Sequence, residues 1–437
     1  MRLKRLLLRY YPPGIVLEYL RSSGALETRT IDILSLTDSS NLSHLASEII
    51  AKEPLLSESR RQLLEEMLLK LVVRQSQSAD FFRVSKVLSS HVLPLTNCAF
   101  NKKGDTLITG SYDRTCRVWD VPSGREKAAL MGHDNVVYSL AFNFPICDKV
   151  VTGSFDKSAK IWEVCSGKCL TTLQGHLQEV VCVCFAPCGE IVGTASMDST
   201  ARLWNVETGD CLAILQGHRA EIVSLAFSSC GRFILTGSFD KEARIWAGPE
   251  KIPCARFGEN QTNPISLGEC VHVLIGHDGE ISAAEFNFNA TLCVTASIDC
   301  TCILWGVESG EIMATFAGHS DEVLDVCFDP TGSLLASCSA DCTARIYDCE
   351  TLLCLVTLVG HEAEISQCAF SPNGKRLLTA SADTTAKVWD VASGVCLQTL
   401  RGHEDEIFSC HYNYFGDHIV TASKDNSCRV WTPIQSL

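Results

Sequence analysis

Short segments in which apolar and polar residues alternate recur along most of the chain. From residue 91 onward each follows a His. It runs into a Gly or turn cluster, then Ser-x-Asp, then an aromatic. Alternation with period two predicts a half-buried β-strand. Gly-His dipeptides end at His133, His176, His218, His277, His319, His361 and His403, and Ser90-His91 fits the same slot. The steps are 42, 43, 42, 59, 42, 42 and 42 residues. The aromatics are Trp119, Trp162, Trp204, Trp246, Trp305, Tyr347, Trp389 and Trp431, which use every Trp in the chain. A fixed period of this length predicts a repeat architecture.

The repeat resembles that of the WD-repeat family, which builds β-propellers from four-stranded blades. The resemblance runs from residue 81 to 431. The signature dipeptide is complete in Trp119-Asp120 and Trp389-Asp390; Glu163, Asn205, Ala247, Gly306 and Thr432 hold its second place elsewhere. The expected fold class is all-β. It is an eight-bladed propeller over residues 81–437, behind a small N-terminal α+β domain over residues 1–80. Eight three-stranded units end at the eight aromatics. Seven fourth strands lie between them, as at residues 168–173 and 210–215. The eighth is missing at the C-terminal end, so residues 81–88 are expected to complete the last blade and close the ring. Closure removes the open edges that template aggregation. The resemblance also implies a hydrogen-bonded chain of His, Ser, Asp and Trp in each blade, as in His176, Ser196, Asp198 and Trp204. Eight copies argue against a hydrolase triad, which is defined by geometry and roles.

Residues 1–80 lack the repeat. Residues 15–20 and 26–31 flank Arg21-Ser22-Ser23-Gly24-Ala25 and read as a hairpin. Residues 41–52 carry Leu42, Leu45, Ile49 and Ile50 at helical spacing, and Pro54 ends the helix. Residues 59–74 show one apolar face with Leu64, Met67, Leu68 and Leu71. These faces must cover something, and the propeller is the nearest candidate. The wide step of 59 contains 17 extra residues, placed within 248–268 and read as a flexible loop on the lower face.

Composition sets limits. The chain has 437 residues, with 37 Lys+Arg against 51 Asp+Glu and a formal charge of −14. That argues against a general nucleic-acid binder and an anionic membrane surface. Residues 1–90 hold 13 basic and 10 acidic side chains, so the remainder carries −17. Only Leu6-Leu7-Leu8 lie unbroken near the start, too short for a signal-peptide core. A cytosolic chain is expected, so the sequons at Asn41, Asn260 and Asn289 carry no glycosylation meaning. Its 24 Cys would then be reduced. Cys98, Cys184, Cys327, Cys368 and Cys410 fall late in first strands. Cys169, Cys211, Cys270, Cys354 and Cys396 fall in fourth strands. Free Cys packs as a small apolar residue, and no CxxC pair with zinc spacing occurs. Neither a metal nor a cofactor is expected.

The resemblance places the residue before each Ser-x-Asp aspartate on an exposed upper turn. Tyr112, Phe155, Met197, Phe239 and Ile298 are bulky there; Ala340, Ala382 and Lys424 are not. Acids after Gly-His, among them Glu280, Glu322, Glu364 and Glu406, are expected near the same face on a complementary arc. Together they predict an amphipathic, partly basic protein segment as partner.

No GxxxxGK[ST] loop and no nucleophile elbow occurs. A noncatalytic scaffold, monomeric, is expected. The opening LLLRYYPPGIVLEY, the VLSSHVLPLTN entry and TGSYDRTCRVWD resemble the WD-repeat adaptors of axonemal dynein. That resemblance implies an adaptor linking preassembled outer-arm dynein to an intraflagellar transport complex B subunit. It would work in the cytoplasm, at the ciliary base and in the cilium. Two other classes stay open. A ubiquitin-ligase substrate receptor often carries Asp-x-Arg after the Trp, which Trp119-Asp120-Val121-Pro122 and Trp389-Asp390-Val391-Ala392 lack. A propeller enzyme would need polar residues converging on the channel, and none is evident from the sequence.

Overall fold

A computed structural model describes residues 2–20, 26–37, 40–77, 81–249 and 266–434. The chain divides into two compact units, Met1–Ala79 and Asp80–Leu437.

In the first unit, strands β1 (Arg2–Arg9), β2 (Gly14–Leu20) and β3 (Leu26–Asp32) form an antiparallel meander. The expected hairpin is β2–β3, paired from Gly14↔Asp32 to Leu20↔Leu26. Its tip at 21–25 lies outside the described residues. β1 was not foreseen, because its Arg and Lys interrupt the alternation. Helix α1 (Leu42–Lys52) starts at Asn41, whose side chain accepts the His44 N–H at 3.2 Å, so this sequon residue is a cap. Helix α2 spans Arg61–Ser76. The apolar faces cover each other. Ile15 and Leu17 of β2 pack with Ala46 and Ile49 of α1 and with Leu64, Leu68 and Leu71 of α2.

The second unit holds eight four-stranded antiparallel sheets. Blade one comprises β5 (Leu95–Phe100), β6 (Thr106–Ser111), β7 (Cys116–Asp120) and β8 (Arg125–Leu130). The pattern recurs to blade eight, where Ile407–Tyr412, Ile419–Ser423 and Cys428–Pro433 are completed by β4 (Phe82–Leu88). Pairing runs from Cys428↔Leu88 to Pro433↔Phe82. First strands neighbour one another in sequence around the ring, and that of blade eight lies beside β5. The ring is closed, as the sequence predicts.

Second strands are almost wholly buried, and each blade's Trp or Tyr is at most 3% exposed. Cores therefore form between blades. Leu107 and Trp119 of blade one, for example, pack with Val420, Ala422 and Val430 of blade eight. Most of the inserted segment lies outside the described residues. Its ends meet, since Gly268 N–H donates to Ala247 C=O at 2.9 Å. The insertion thus leaves and rejoins blade four at one point, and the blade keeps its register.

Every described cysteine is free. Those of first strands pack inside, as expected. Those of fourth strands divide: Cys169 and Cys396 are partly buried against the cores, while Cys211, Cys270 and Cys354 are exposed. The reason is position. They stand on the outermost strand just past a bulge, and each thiol reaches a carbonyl two residues on, as Cys211 Sγ does to Ala213 at 3.6 Å.

Candidate functional site: the loop face of the propeller

The blade network fixes this face. In blade three Trp204 Nε1–H donates to Thr194 Oγ1 at 2.8 Å, and Thr194 Oγ1 meets His176 Nε2 at 2.7 Å. His176 Nδ1 meets Asp198 Oδ2 at 2.9 Å. Only one proton order satisfies all members. The Thr hydroxyl donates to Nε2, and Nδ1–H donates to the carboxylate. Burial alone would raise the Asp198 pKa. Hydrogen bonds from His176, Thr200 and the Leu177 N–H outweigh it and hold the carboxyl well below its usual range. Ser196 stands beside the chain rather than in it. Its hydroxyl donates to Gln178 C=O and accepts the Asp198 N–H. The missing link was Thr194, recognisable as the Thr two places before the Ser in seven of the eight blades, with Ser337 in blade six. Ser196 thus lies outside the His–Asp pair; in blade six Ser337 takes the Thr place and does meet His319 at 2.8 Å, but there it is a fully buried member of the same network. The network instead ties the turn after the second strand to the loop after Gly-His.

These paired loops carry the predicted residues. Backbone N–H groups of Ile298, Ala340, Ala382 and Lys424 donate to the carbonyls of Glu280, Glu322, Glu364 and Glu406 at 2.8–3.0 Å. The two sets are therefore neighbours within each blade, on one face. The same bond joins Met197 to Glu179 and Phe239 to Glu221. Sequence reading missed both acids, although each holds the third place after a Gly-His. The acids thus run from blade three to blade eight, and the bulky turn residues from blade one to blade five. The arcs overlap on blades three to five instead of complementing each other. Blades one and two carry Pro94 and Val136 at the acid position.

Exposure divides the apolar set. Tyr112 is 41% exposed and Phe239 40%, while Phe155, Met197 and Ile298 are half-buried. Phe155 stacks on Tyr138, with centroids 5.2 Å apart and planes at 23°. Tyr138 was also missed. Burial, with Tyr112 and Cys182 nearby, raises its hydroxyl pKa even though the residue as a whole is 42% exposed. Glu406 pairs with Lys424 at 3.2 Å. Glu322 and Glu364 are exposed, and no ion pair to either is found among the described residues.

The eightfold recurrence of this network, with its strand register, decides the family. The chain belongs to the WD40 family. The pattern described as "WD domain, G-beta repeat" matches residues 82–120, 124–163, 167–205, 209–247, 268–306, 310–348, 352–390 and 394–432. Among curated WD40 relatives, the chain is 56% identical over 193 residues to "Dynein assembly factor with WD repeat domains 1" of Mus musculus, covering 44% of this chain and 46% of that protein. It is 57% identical over 189 residues to the Xenopus laevis protein of that name, covering 43% and 45%. The matched stretch spans about half the length of these relatives. Among solved structures, the computationally designed Ika8 protein superposes with a TM-score of 0.67 at 27% identity, covering 78% of this chain and 97% of that one.

The channel corrects one expectation. Polar groups do converge on it from blades five to eight. Glu285, Asp325, Gln367 and His411 line a cavity of about 410 Å³. Several act as stitches between blades. Asp325 accepts the Cys368 N–H at 3.2 Å, Gln367 the Cys410 N–H at 2.8 Å, and Ser139 the Val183 N–H at 3.1 Å. One position in the first strand supplies all three. The repeat reading missed them because the position varies between Asp, Gln and Ser. Glu285 accepts the Phe328 N–H at 3.0 Å, and burial pushes its pKa up to about 8. Burial lowers that of His411 to about 4.

Proposed function

We infer that this chain is a noncatalytic adaptor in the assembly of axonemal outer-arm dynein, handing it to an intraflagellar transport complex B subunit. The observation that carries the reading is its identity of 54–57% to proteins named as dynein assembly factors. The loop face supplies a surface of the required kind. Tyr112, Tyr138 and Phe239 offer exposed aromatic area on the face that carries six acids on blades three to eight, which suits an amphipathic segment with a basic side. The reading implies work in the cytoplasm, at the ciliary base and in the cilium. Among the described residues no helix is long and apolar enough to cross a membrane.

The test is capture by the full chain from ciliated-cell extract. Recovery of dynein and transport subunits, lost when Phe155, Phe239 and Glu364 are replaced together by Ala, supports the reading. Recovery of cullin adaptors without dynein or transport subunits overturns it in favour of a ubiquitin-ligase receptor.

A further inference from the structure

Blade six departs from the other repeats at positions that meet in space. Cys338 lies in its second strand, where every other blade has Gly or Ala, as at Ala296 and Ala380. Cys327 lies in its first strand, where most blades have Ala, as at Ala226 and Ala369. Asp325 stands two residues earlier on the same strand. Cys368 enters from the first strand of blade seven.

The geometry is close to that of a coordination shell. One ligand atom each from Asp325, Cys338 and Cys368 lie within 4.8 Å of one another. Cys327 Sγ stands 3.6 Å from Cys368 Sγ. With metal–sulfur bonds of about 2.3 Å, two sulfurs of a tetrahedral site lie about 3.8 Å apart. The Cys327–Cys368 span already fits, and the three edges among Asp325, Cys338 and Cys368 need to contract by about 1 Å at most. Apolar packing accounts for a lone buried thiol. The stitch to the Cys368 N–H uses one Asp325 oxygen, but Gln367 and Ser139 make the same bond with neutral groups, so that bond alone does not call for a carboxylate here. Asp325, Cys327 and Cys368 also line the 410 Å³ channel cavity, which gives an ion a way in.

We propose that Cys327, Cys338, Cys368 and Asp325 form a seat for one thiophilic cation of the zinc class, clamping blades six and seven beside the channel. Binding releases the thiol protons to solvent, so three thiolates and one carboxylate face the divalent ion. The ligands come from three strands of two blades. No sequence-local spacing such as CxxC announces them.

The full chain, stripped with a chelator under reducing conditions, is titrated with Zn²⁺ and separately with Cd²⁺. Metal retained after desalting, the cadmium–thiolate absorbance and the melting temperature are read together. The expected result is one ion per chain, a thiolate band and a higher melting temperature. The double variant Cys327→Ala, Cys338→Ala installs the residue common at these positions in other blades. It should melt like the metal-free parent and lose both the ion and the band. Asp325→Asn should weaken binding at least tenfold while keeping the band. Absence of a retained ion in the parent overturns the proposal. So does undiminished binding by the double variant, which would place the metal on exposed cysteines. Should the double variant not fold, Cys338→Ala alone decides on the same readouts.

Discussion

Gln398 holds both backbone groups of Phe82. Its Oε1 accepts the Phe82 N–H at 2.7 Å, and its Nε2 donates to the Phe82 C=O at 2.7 Å, across 316 positions of sequence. Gln398 lies on the outer strand of blade seven, and Phe82 opens the strand that closes blade eight. The amide therefore locks the ring at the seam where the two ends of the propeller meet. Gln398→Ala leaves both backbone groups without this partner, which costs about 1–3 kcal/mol. We expect a lower urea midpoint and faster hydrogen exchange confined to residues 82–88. Exchange rising evenly over all blades would contradict a role at the seam.

Blade six is the weak link of the buried network. It replaces Thr by Ser337 and Trp by Tyr347. Ser337 keeps its bond to His319 at 2.8 Å, but the Tyr347 hydroxyl makes no close hydrogen bond. In the other seven blades an indole N–H fills that role, as Trp389 does toward Thr379 at 2.9 Å. Joint replacement Tyr347→Trp, Ser337→Thr should stabilise the chain by about 1 kcal/mol, in the manner of consensus substitutions. Phe316, stacked on Tyr347 at 4.4 Å, sets the room available. Chemical unfolding of the parent and the variant measures the difference.

How much of this was legible from the sequence follows from what repeats. His, Asp and Trp recur at fixed spacing, so blade number, ring closure and the buried network could be read directly. Thr194 and its equivalents were equally periodic, yet the Ser nearby drew attention because family signatures name it. Channel residues escaped for a different reason. Asp325, Gln367 and Ser139 share a position but no chemistry, and what they share is a backbone N–H on the next blade. Glu179 and Glu221 were equally legible, since each holds the third place after its Gly-His. β1 was hidden by Arg5 and Arg9, which disturb its alternation without preventing pairing to β2.

Acid should destabilise the propeller in a shaped way. All eight network aspartates have lowered pKa values: burial opposes this, and bonds from His and Ser or Thr side chains or the backbone overcome it. A lowered carboxyl contributes stability that is present above its unfolded value, about 3.9, and is lost as pH falls through the folded one. Burial also lowers His218 and His319, so they favour folding above about 6.5 and less below it. Glu285 acts in the opposite direction. Its pKa is raised to about 8 by burial, with Asp325 adding to the push. Its contribution is therefore greatest in acid and is lost as pH rises through about 8. Urea midpoints should rise from pH 8.5 toward 6.5, level off, and collapse below about 4. Glu285→Gln should flatten the arm above about pH 7, leave the part below it that buried Asp325, its pKa raised to about 7, also sets, and leave the acid collapse unchanged. An arm above about pH 7 that persists in that variant would assign it to another group.

The loop face should separate two kinds of contribution to partner binding. Tyr112 and Phe239 are exposed apolar groups, so their loss removes area that is buried only in the complex. Glu322 and Glu364 are exposed acids, screened within about 8 Å at physiological ionic strength. Charges at a rim govern encounter, and aromatic anchors govern residence. For a basic amphipathic segment of the partner, Tyr112→Ala with Phe239→Ala should speed dissociation by about tenfold or more and leave the salt dependence of association unchanged. Glu322→Gln with Glu364→Gln should slow association by a few fold at low salt, with the difference vanishing near 0.5 M, and should spare dissociation. Stopped-flow or surface-based kinetics over a salt series measures both. If the two pairs of variants changed the same rate constant, the arcs would belong to a single patch, and the overlap on blades three to five would be the whole site.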